Sequence, residues 1–263
     1  MDDWIEEFYS VRGGIVKTND IQKELLAGNA PKVLYQYRSI EQHNVDNIKN
    51  GVIWARKASD FNDPYDCLIS STAIEQQIAL AKKNNNEELL TELEDLQKAF
   101  LEEAQKCRTM TAISCFSNSC TSLLMWSHYA NQHEGMCVEY DYKKLEKISH
   151  KSILPVSYGD KIDIFSQNKN RNNLLSHMAF IRKAKDWKYE EEWRIIALLI
   201  DTTIAGITIK APMPEKIIFG SKTDYSKPLV KDLINFAEKN GIVCSKMSLD
   251  KDIFKLNEGL LRE

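Results

Sequence analysis

Two glutamates and an arginine alternate with single residues in a stretch flanked by tryptophans. The residues are Glu190, Glu192 and Arg194, within the sequence Trp187-Lys188-Tyr189-Glu190-Glu191-Glu192-Trp193-Arg194. Because alternate side chains of a strand project to one face, a strand here places the three side chains together. One carboxylate could then stabilise a developing positive charge while the other accepts a proton from an attacking group. The alternative is an exposed acidic turn in which Arg194 pairs with one of the glutamates.

An arginine in an aromatic strand is the second candidate. The stretch Tyr35-Gln36-Tyr37-Arg38-Ser39 is rich in the residues that strands favour. A strand places Tyr35 on one face and Arg38 on the other. An arginine at a strand end beside a cleft can bind a phosphate or carboxylate through two parallel hydrogen bonds. The alternative is a structural ion pair between Arg38 and an acid elsewhere in the chain.

Hydroxyl and aromatic side chains form a third group, around a predicted strand-to-helix turn. Such hydroxyls can orient a small polar ligand, and an aromatic ring can stack on it. The candidates for this role are Ser117, Ser119, Trp126, His128 and Tyr129. His128 could also serve as an acid or base. Alternatively, Ser119, Thr121 and Ser122 cap the following helix.

The sequence offers weak signals for metal binding. Asp63 and Asp66, in the loop Phe61-Asn62-Asp63-Pro64-Tyr65-Asp66, could bind a metal with one more carboxylate, but a hydrogen-bonded loop is the simpler interpretation. The six cysteines show no C-x-x-C spacing. We therefore predict free thiols and no metal site.

Composition indicates an ordinary globular chain. The 263 residues carry 35 Lys and Arg against 38 Asp and Glu, and 43% of them are hydrophobic, which excludes a disordered or fibrous protein. With a net charge of −3, any nucleic-acid contact has to be a local patch. The acidic N-terminus and the short longest apolar run, Ile195–Ile200, predict a cytoplasmic protein with no membrane partner.

The pattern of elements predicts the fold class. Short β-rich segments and helices occur without strict alternation, which favours an α+β fold with small, mixed, mostly antiparallel sheets. Leucines at three- and four-residue steps predict a helical hairpin inserted at residues 72–107. A basic, polar stretch, 172–185, is also predicted to be helical. We expect residues 1–263 to form a single domain that contains this insertion.

The candidate stretches together resemble a bacterial family known as domain of unknown function 2971. The resemblance extends over about residues 33–220 and implies no activity. Its motifs in this sequence are Leu34-Tyr35-x-Tyr37-Arg38-Ser39, Phe61-Asn62-Asp63-Pro64-x-Asp66, Phe116-Ser117, Trp126-x-His128-Tyr129, Gly135-x-Cys137 and Trp187-x-x-Glu190-x-Glu192-Trp193-Arg194.

The chain also has a more distant resemblance to ADP-ribosyltransferases, through the order Arg38, then Ser117-Asn118-Ser119, then Glu190-Glu191-Glu192. The resemblance implies an ADP-ribosyltransferase-like fold with NAD as a substrate that Arg38 holds. It further implies that Ser117 helps to hold the nicotinamide ribose. Glu192 would bind the ribose and stabilise an oxocarbenium-like transition state, and Glu190 would activate the acceptor nucleophile.

These observations leave three hypotheses. The first is an enzyme that cleaves NAD at the nicotinamide–ribose bond and modifies a protein or nucleic acid, in the manner of bacterial toxins and anti-phage defence effectors. Its catalytic residues are Glu190 and Glu192, and its cofactor-binding residues are Tyr35, Arg38, Ser117, Ser119, Trp126, His128 and Tyr129. The second is a nucleotide-sensing or partner-binding module without turnover. The third is a metal-dependent hydrolase or nuclease that uses Asp63, Asp66, Glu190, Glu192 and His128.

Overall fold

The computed structural model describes residues 3–10, 20–162 and 178–261, which form an α+β fold. The helices in these ranges are α1 Asp3–Ser10, α2 Asp20–Asn29, α3 Gln42–Lys49, α4 Thr72–Lys83, α5 Glu87–Thr109, α6 Leu123–Tyr129, α7 Tyr142–Ser149 and α8 Pro228–Lys239. The strands are β1 Val33–Arg38, β2 Val52–Lys57, β3 Thr111–Ser117, β4 Met136–Asp141, β5 Ile153–Pro155, β6 Ser157–Gly159, β7 Arg182–Ala184, β8 Glu192–Leu198, β9 Gly206–Lys210, β10 Lys216–Phe219, β11 Val243–Leu249 and β12 Leu256–Leu260.

Ten of these strands form one mostly antiparallel sheet, in the order β12-β11-β10-β4-β1-β3-β2-β9, with β8 paired to β3 and β5 paired to β8. The pair β10–β11 is parallel. Strands β1 and β3 are paired at the position Tyr35–Ser117. Further along, the Gln36 side chain joins the two strands by donating to Ser114 Oγ at 3.0 Å. The expected α+β class and mostly antiparallel pairing are confirmed, although ten strands join into one large sheet instead of several small ones. Strands β6 and β7 pair in parallel as a separate two-stranded sheet.

The central strands bury side chains on both faces. On β10, Ile217 and Phe219 belong to the main apolar core, which also includes Leu233 of α8. The alternate residue, Ile218, belongs to a second apolar cluster with Trp126 of α6. Because successive side chains of a strand point to opposite faces, helices cover the sheet on both sides.

Residues 72–109 form two helices that pack on each other, α4 and α5, as the leucine spacing predicts. Asn86 caps α5 by accepting a hydrogen bond from Leu89 N–H at 3.1 Å. No residue of the 23-residue α5 is buried. Helix α4 buries only Ile78 and Ala81, so the hairpin adds little to the core.

The structure corrects two predicted elements near the candidate acids. Glu190 ends a 3-10 helix, Lys185–Glu190, and strand β8 begins only at Glu192. Glu191 between them adopts a left-handed conformation with φ of 45°, so no single strand passes through all three glutamates, which was the condition for grouping their side chains by alternation. In the predicted helix 172–185, residues 182–184 form strand β7 instead, and residues 172–177 lie outside the described ranges.

None of the described helices combines the length and the apolar character that crossing a bilayer requires.

Candidate functional site

A cavity of about 570 Å³ opens among strands β1, β2 and β3, the loop 60–66, helix α6 and the start of β8. This volume is in the range of small-molecule binding sites. Six of the nine residues singled out from the sequence line it, from three distant parts of the chain: Tyr35, Arg38, Ser117, Tyr129, Glu190 and Glu192.

The other three predicted residues lie away from the cavity wall. Trp126 is fully buried and donates through Nε1 to the carbonyl of Cys120 at 2.7 Å, so it belongs to the core. His128 is exposed, with its ring 6.4 Å from that of Tyr189. Ser119 instead accepts through its backbone carbonyl from Tyr37 Oη at 2.8 Å. These three side chains are not placed to contact a ligand in the cavity.

A buried arginine organises the acidic wall of the cavity. Arg194 is 0% exposed and donates to Glu192 through Nε and Nη2, both at 2.8 Å. It also donates to Asp66 through Nη1 and Nη2, at 2.8 and 2.7 Å. Such paired hydrogen bonds are the strongest geometry for arginine and carboxylates. The predicted pairing of Arg194 with a glutamate therefore exists, but in the interior and not in an exposed turn.

Lys183 is the second buried cation of this wall. Its Nζ lies 2.5 Å from Glu190 Oε2, 3.3 Å from Glu192 Oε2 and 3.5 Å from Asp66 Oδ2. The other oxygen of Glu190 accepts a hydrogen bond from Tyr129 Oη at 2.6 Å. Three carboxylates and two cations thus form one network, with Glu190 between Lys183 and Tyr129.

The two glutamates differ in electrostatic environment. Burial would raise the pKa of Glu192, but Arg194 and Lys183 outweigh it and lower this pKa to about 2. Burial, together with the negative charge of Glu192, raises the pKa of Glu190, although Lys183 opposes the shift. Glu192 is therefore a fixed anion, whereas Glu190 binds a proton more readily than an ordinary glutamate.

The lowered pKa of Glu192 predicts acid sensitivity. A carboxyl group whose pKa is lower in the folded state stabilises the fold above its unfolded pKa, near 4.3, and this stabilisation is lost as the pH falls toward 2. We expect Glu192→Gln to flatten the decline of the free energy of unfolding between about pH 4 and pH 2. Urea titrations at several pH values measure this, and parallel declines in both proteins would contradict it.

Part of the cavity lining is cationic. Arg38 is half-buried, and no carboxylate of the described residues forms an ion pair with it. Burial lowers the pKa of Arg38, which reflects an uncompensated charge. The exposed side chains of Arg56 and His43 line the same cavity. Because removing a guanidinium from water without a partner is costly, this part of the lining is suited to an anionic group.

The third hypothesis requires a metal site. In the described ranges, no group of three or more His, Cys, Asp and Glu side chains is arranged to hold a metal ion. Asp63 accepts from the N–H of Tyr65 at 2.9 Å, as in the hydrogen-bonded loop that the sequence allows. Asp66 instead binds Arg194. All six cysteines are free, as predicted.

Sequence reasoning missed Lys183 and the partnership of Asp66 with Arg194. Lys183 lies in a basic stretch that was predicted to be helical, and no role was predicted for it. The pair of acids was itself a signal, because two buried carboxylates require cations to balance their charge. No local sequence pattern identifies Lys183 as one of these cations.

Comparisons with known proteins give one match. Residues 125–195 match the model of a family described as protein of unknown function (DUF2971). No curated protein and no solved structure matches the chain. The matched segment contains Tyr129, Lys183, Glu190 and Glu192 of the cavity wall and is shorter than the expected 33–220. Over this segment, which carries most of the acidic wall, the chain is similar to the DUF2971 family.

Proposed function

We propose that the cavity binds NAD and that the protein cleaves the nicotinamide–ribose bond, as an ADP-ribosyltransferase-like enzyme that modifies a macromolecule. One observation carries the proposal: a single cavity is lined by a pair of carboxylates and by an arginine that has no acidic partner among the described residues. The two features lie on segments far apart in the sequence, β1 and the start of β8.

The charge distribution of the cavity suits this ligand. Arg38 and Arg56 offer hydrogen-bond donors and positive charge for a pyrophosphate. Glu190 and Glu192 supply negative charge for the cationic nicotinamide ring and for the ribose carbon as its bond breaks. A ligand that carries an anionic pyrophosphate and a cationic nicotinamide ring therefore complements both the arginines and the glutamates of the cavity.

The acids divide the chemistry between them. When the bond from nicotinamide nitrogen to ribose breaks, its electron pair leaves with nicotinamide and positive charge develops on the ribose. Glu192, held ionised by Arg194 and Lys183, stabilises that charge. An acceptor hydroxyl, or water, then bonds to the ribose carbon, and its proton passes to Glu190, whose raised pKa suits a base near neutral pH.

A specific observation also favours nucleotide binding without turnover. Every carboxylate oxygen of Glu190 and Glu192 already accepts a hydrogen bond from Tyr129, Lys183 or Arg194. A network satisfied in this way can be purely structural. In that case the cavity would hold a nucleotide as a sensor, and the protein would not consume it.

Incubation with NAD separates the two functions. The enzyme hypothesis predicts release of free nicotinamide, measured by chromatography with and without cell extract as a source of acceptor. The sensor hypothesis predicts thermal stabilisation without nicotinamide release. Saturation at 100 times Kd stabilises the fold by about 2.7 kcal/mol. If NAD causes neither nicotinamide release nor thermal stabilisation, both the enzyme and the sensor hypothesis are contradicted.

Substitution of Arg38 tests the cationic wall. We expect Arg38→Met to weaken NAD binding by roughly 10- to 150-fold, because charge-assisted hydrogen bonds contribute about 1.5–3 kcal/mol. Isothermal titration calorimetry measures the change. The control is Lys82→Met in α4, which removes a positive charge outside the cavity. Equal affinity of both variants would show that Arg38 does not contact the ligand.

A further inference from the structure

We propose that Lys183 is a positioning residue that keeps Glu190 ionised and directed into the cavity, so that Glu190 can accept a proton. The inference deepens the proposed function and rests on it for its catalytic part. The sequence motifs do not single out Lys183.

The position of Lys183 supports this role. Its side chain is 7% exposed and lines the cavity, and its Nζ forms the short contact of 2.5 Å with Glu190. The ring of Trp187 lies on another side, with its centroid 4.9 Å from Nζ, where a cation is favourable. A lysine held between three carboxylates and an aromatic face has a single preferred position.

Among the described residues that contact Glu190, Lys183 is its sole cationic partner. Glu192 and Asp66 also contact Lys183, but both have Arg194 as a second cation. Removal of the lysine charge therefore affects Glu190 most. The titratable and charged groups near Glu190 from all the packed elements are Lys183 on β7, Tyr129 on α6, Glu192 on β8, Tyr158 on β6 and Tyr189 on its own helix.

Without Lys183, burial and the charge of Glu192 favour the protonated carboxyl group of Glu190, and the hydrogen bond from Tyr129 opposes them. Burial and Glu192 raise its pKa, and the ammonium group opposes them. An opposite charge at this distance changes a carboxyl pKa by about 1–3 units. Tyr129 remains able to hydrogen-bond a neutral carboxyl group as well as an ionised one. The charge of Glu190 at neutral pH therefore depends on Lys183.

The test compares Lys183→Met with Lys183→Arg, and with Lys185→Met as a matched control, since Lys185 is exposed and pairs with Asp160. In Lys183→Met, the acid limb of the pH profile for ADP-ribose transfer to the acceptor or to water is expected to move up by about 1–3 units. Lys183→Arg, which retains the charge, and the control should keep the wild-type limb. An unchanged limb in Lys183→Met would overturn the proposal.

Thermal stability gives a readout that is independent of catalysis. A carboxyl group whose pKa is raised in the folded state loses its stabilisation as the pH rises, so the Tm deficit of Lys183→Met should grow between pH 5 and pH 8. Glu190→Gln should abolish this growth when combined with Lys183→Met. A deficit independent of pH would overturn the proposal. If wild type releases no nicotinamide, the proposed enzyme activity fails while this comparison still decides the role of Lys183.

The double variant Lys183→Met/Glu190→Gln also tests the proposal if Lys183→Met does not fold. In that case the proposal predicts that adding Glu190→Gln restores folding, because a neutral amide then replaces the carboxyl group that has lost its cation. If the double variant also fails to fold, Lys183 is needed for reasons other than Glu190, and the proposal is wrong.

Discussion

Replacement of Arg194 by methionine is expected to lower the free energy of unfolding by about 3–5 kcal/mol, the range found when one partner of a buried ion pair is removed. Arg194 is fully buried and donates to both Asp66 and Glu192. Without it, Lys183 alone faces three buried carboxylates. The loss is large because charges remain buried without compensation.

Urea unfolding of Arg194→Met measures this effect. Lys82→Met provides the control, since Lys82 and Glu94 are 58% and 53% exposed and such surface pairs contribute about 0–1 kcal/mol. A loss in Arg194→Met no greater than in the control would mean that the network does not stabilise the fold. That result would also remove the reason for treating Glu192 as a fixed anion.

Glu190→Gln is expected to lower the rate of ADP-ribose transfer from NAD to an acceptor by about 10²–10⁴-fold, the usual contribution of a general base. Glutamine keeps the shape of the side chain and can still hydrogen-bond Tyr129, but it cannot accept the proton. NAD affinity should change little, because the pyrophosphate contacts are proposed for Arg38 and not for Glu190.

The neighbouring Glu191→Gln is the matched control for this prediction. Glu191 is exposed and does not line the cavity, so its removal should leave the rate unchanged. Single-turnover assays on both variants, with NAD binding measured separately, give the comparison. Equal rates for Glu190→Gln and wild type would exclude Glu190 as the base.

Much of the fold could be predicted from local pattern. Aromatic and β-branched residues indicate β1 and β3, and the leucine spacing indicates α4 and α5, because these signals depend on side chains within one element. Strand β12 was missed, since its sequence Leu-Asn-Glu-Gly-Leu favours strands poorly and is stabilised by pairing with β11. The joining of ten strands into one sheet also depends on long-range pairing, which no local pattern contains.

The candidate site was predictable in part. Arg38, Ser117 and Glu192 were singled out for their chemistry, and they line one cavity because β1, β3 and β8 are close in the sheet. Trp126 and Ser119 were singled out on similar grounds, but Trp126 fills the core and the Ser119 hydroxyl lies outside the cavity. Whether a side chain faces a ligand or the core depends on tertiary packing, which residue type alone does not determine.

The role of Lys183 could not be predicted from the sequence. Its importance comes from three carboxylates that reach it from different segments, those carrying Asp66, Glu190 and Glu192. The left-handed backbone of Glu191 lets Glu190 and Glu192 approach the same ammonium group from a 3-10 helix and a strand. Glu190 and Glu192 were grouped from the sequence by the alternation of side chains along one strand. The two residues are close together, but Glu190 lies on a 3-10 helix and not on that strand.

A crystal structure with a non-cleavable NAD analogue tests the central claim most directly. We predict that the analogue occupies the cavity of about 570 Å³, with its pyrophosphate within hydrogen-bond distance of Arg38 and its nicotinamide ribose beside Glu190 and Glu192. An empty cavity at saturating analogue, or an analogue bound with its pyrophosphate away from Arg38, would contradict the assignment of this cavity as a dinucleotide site.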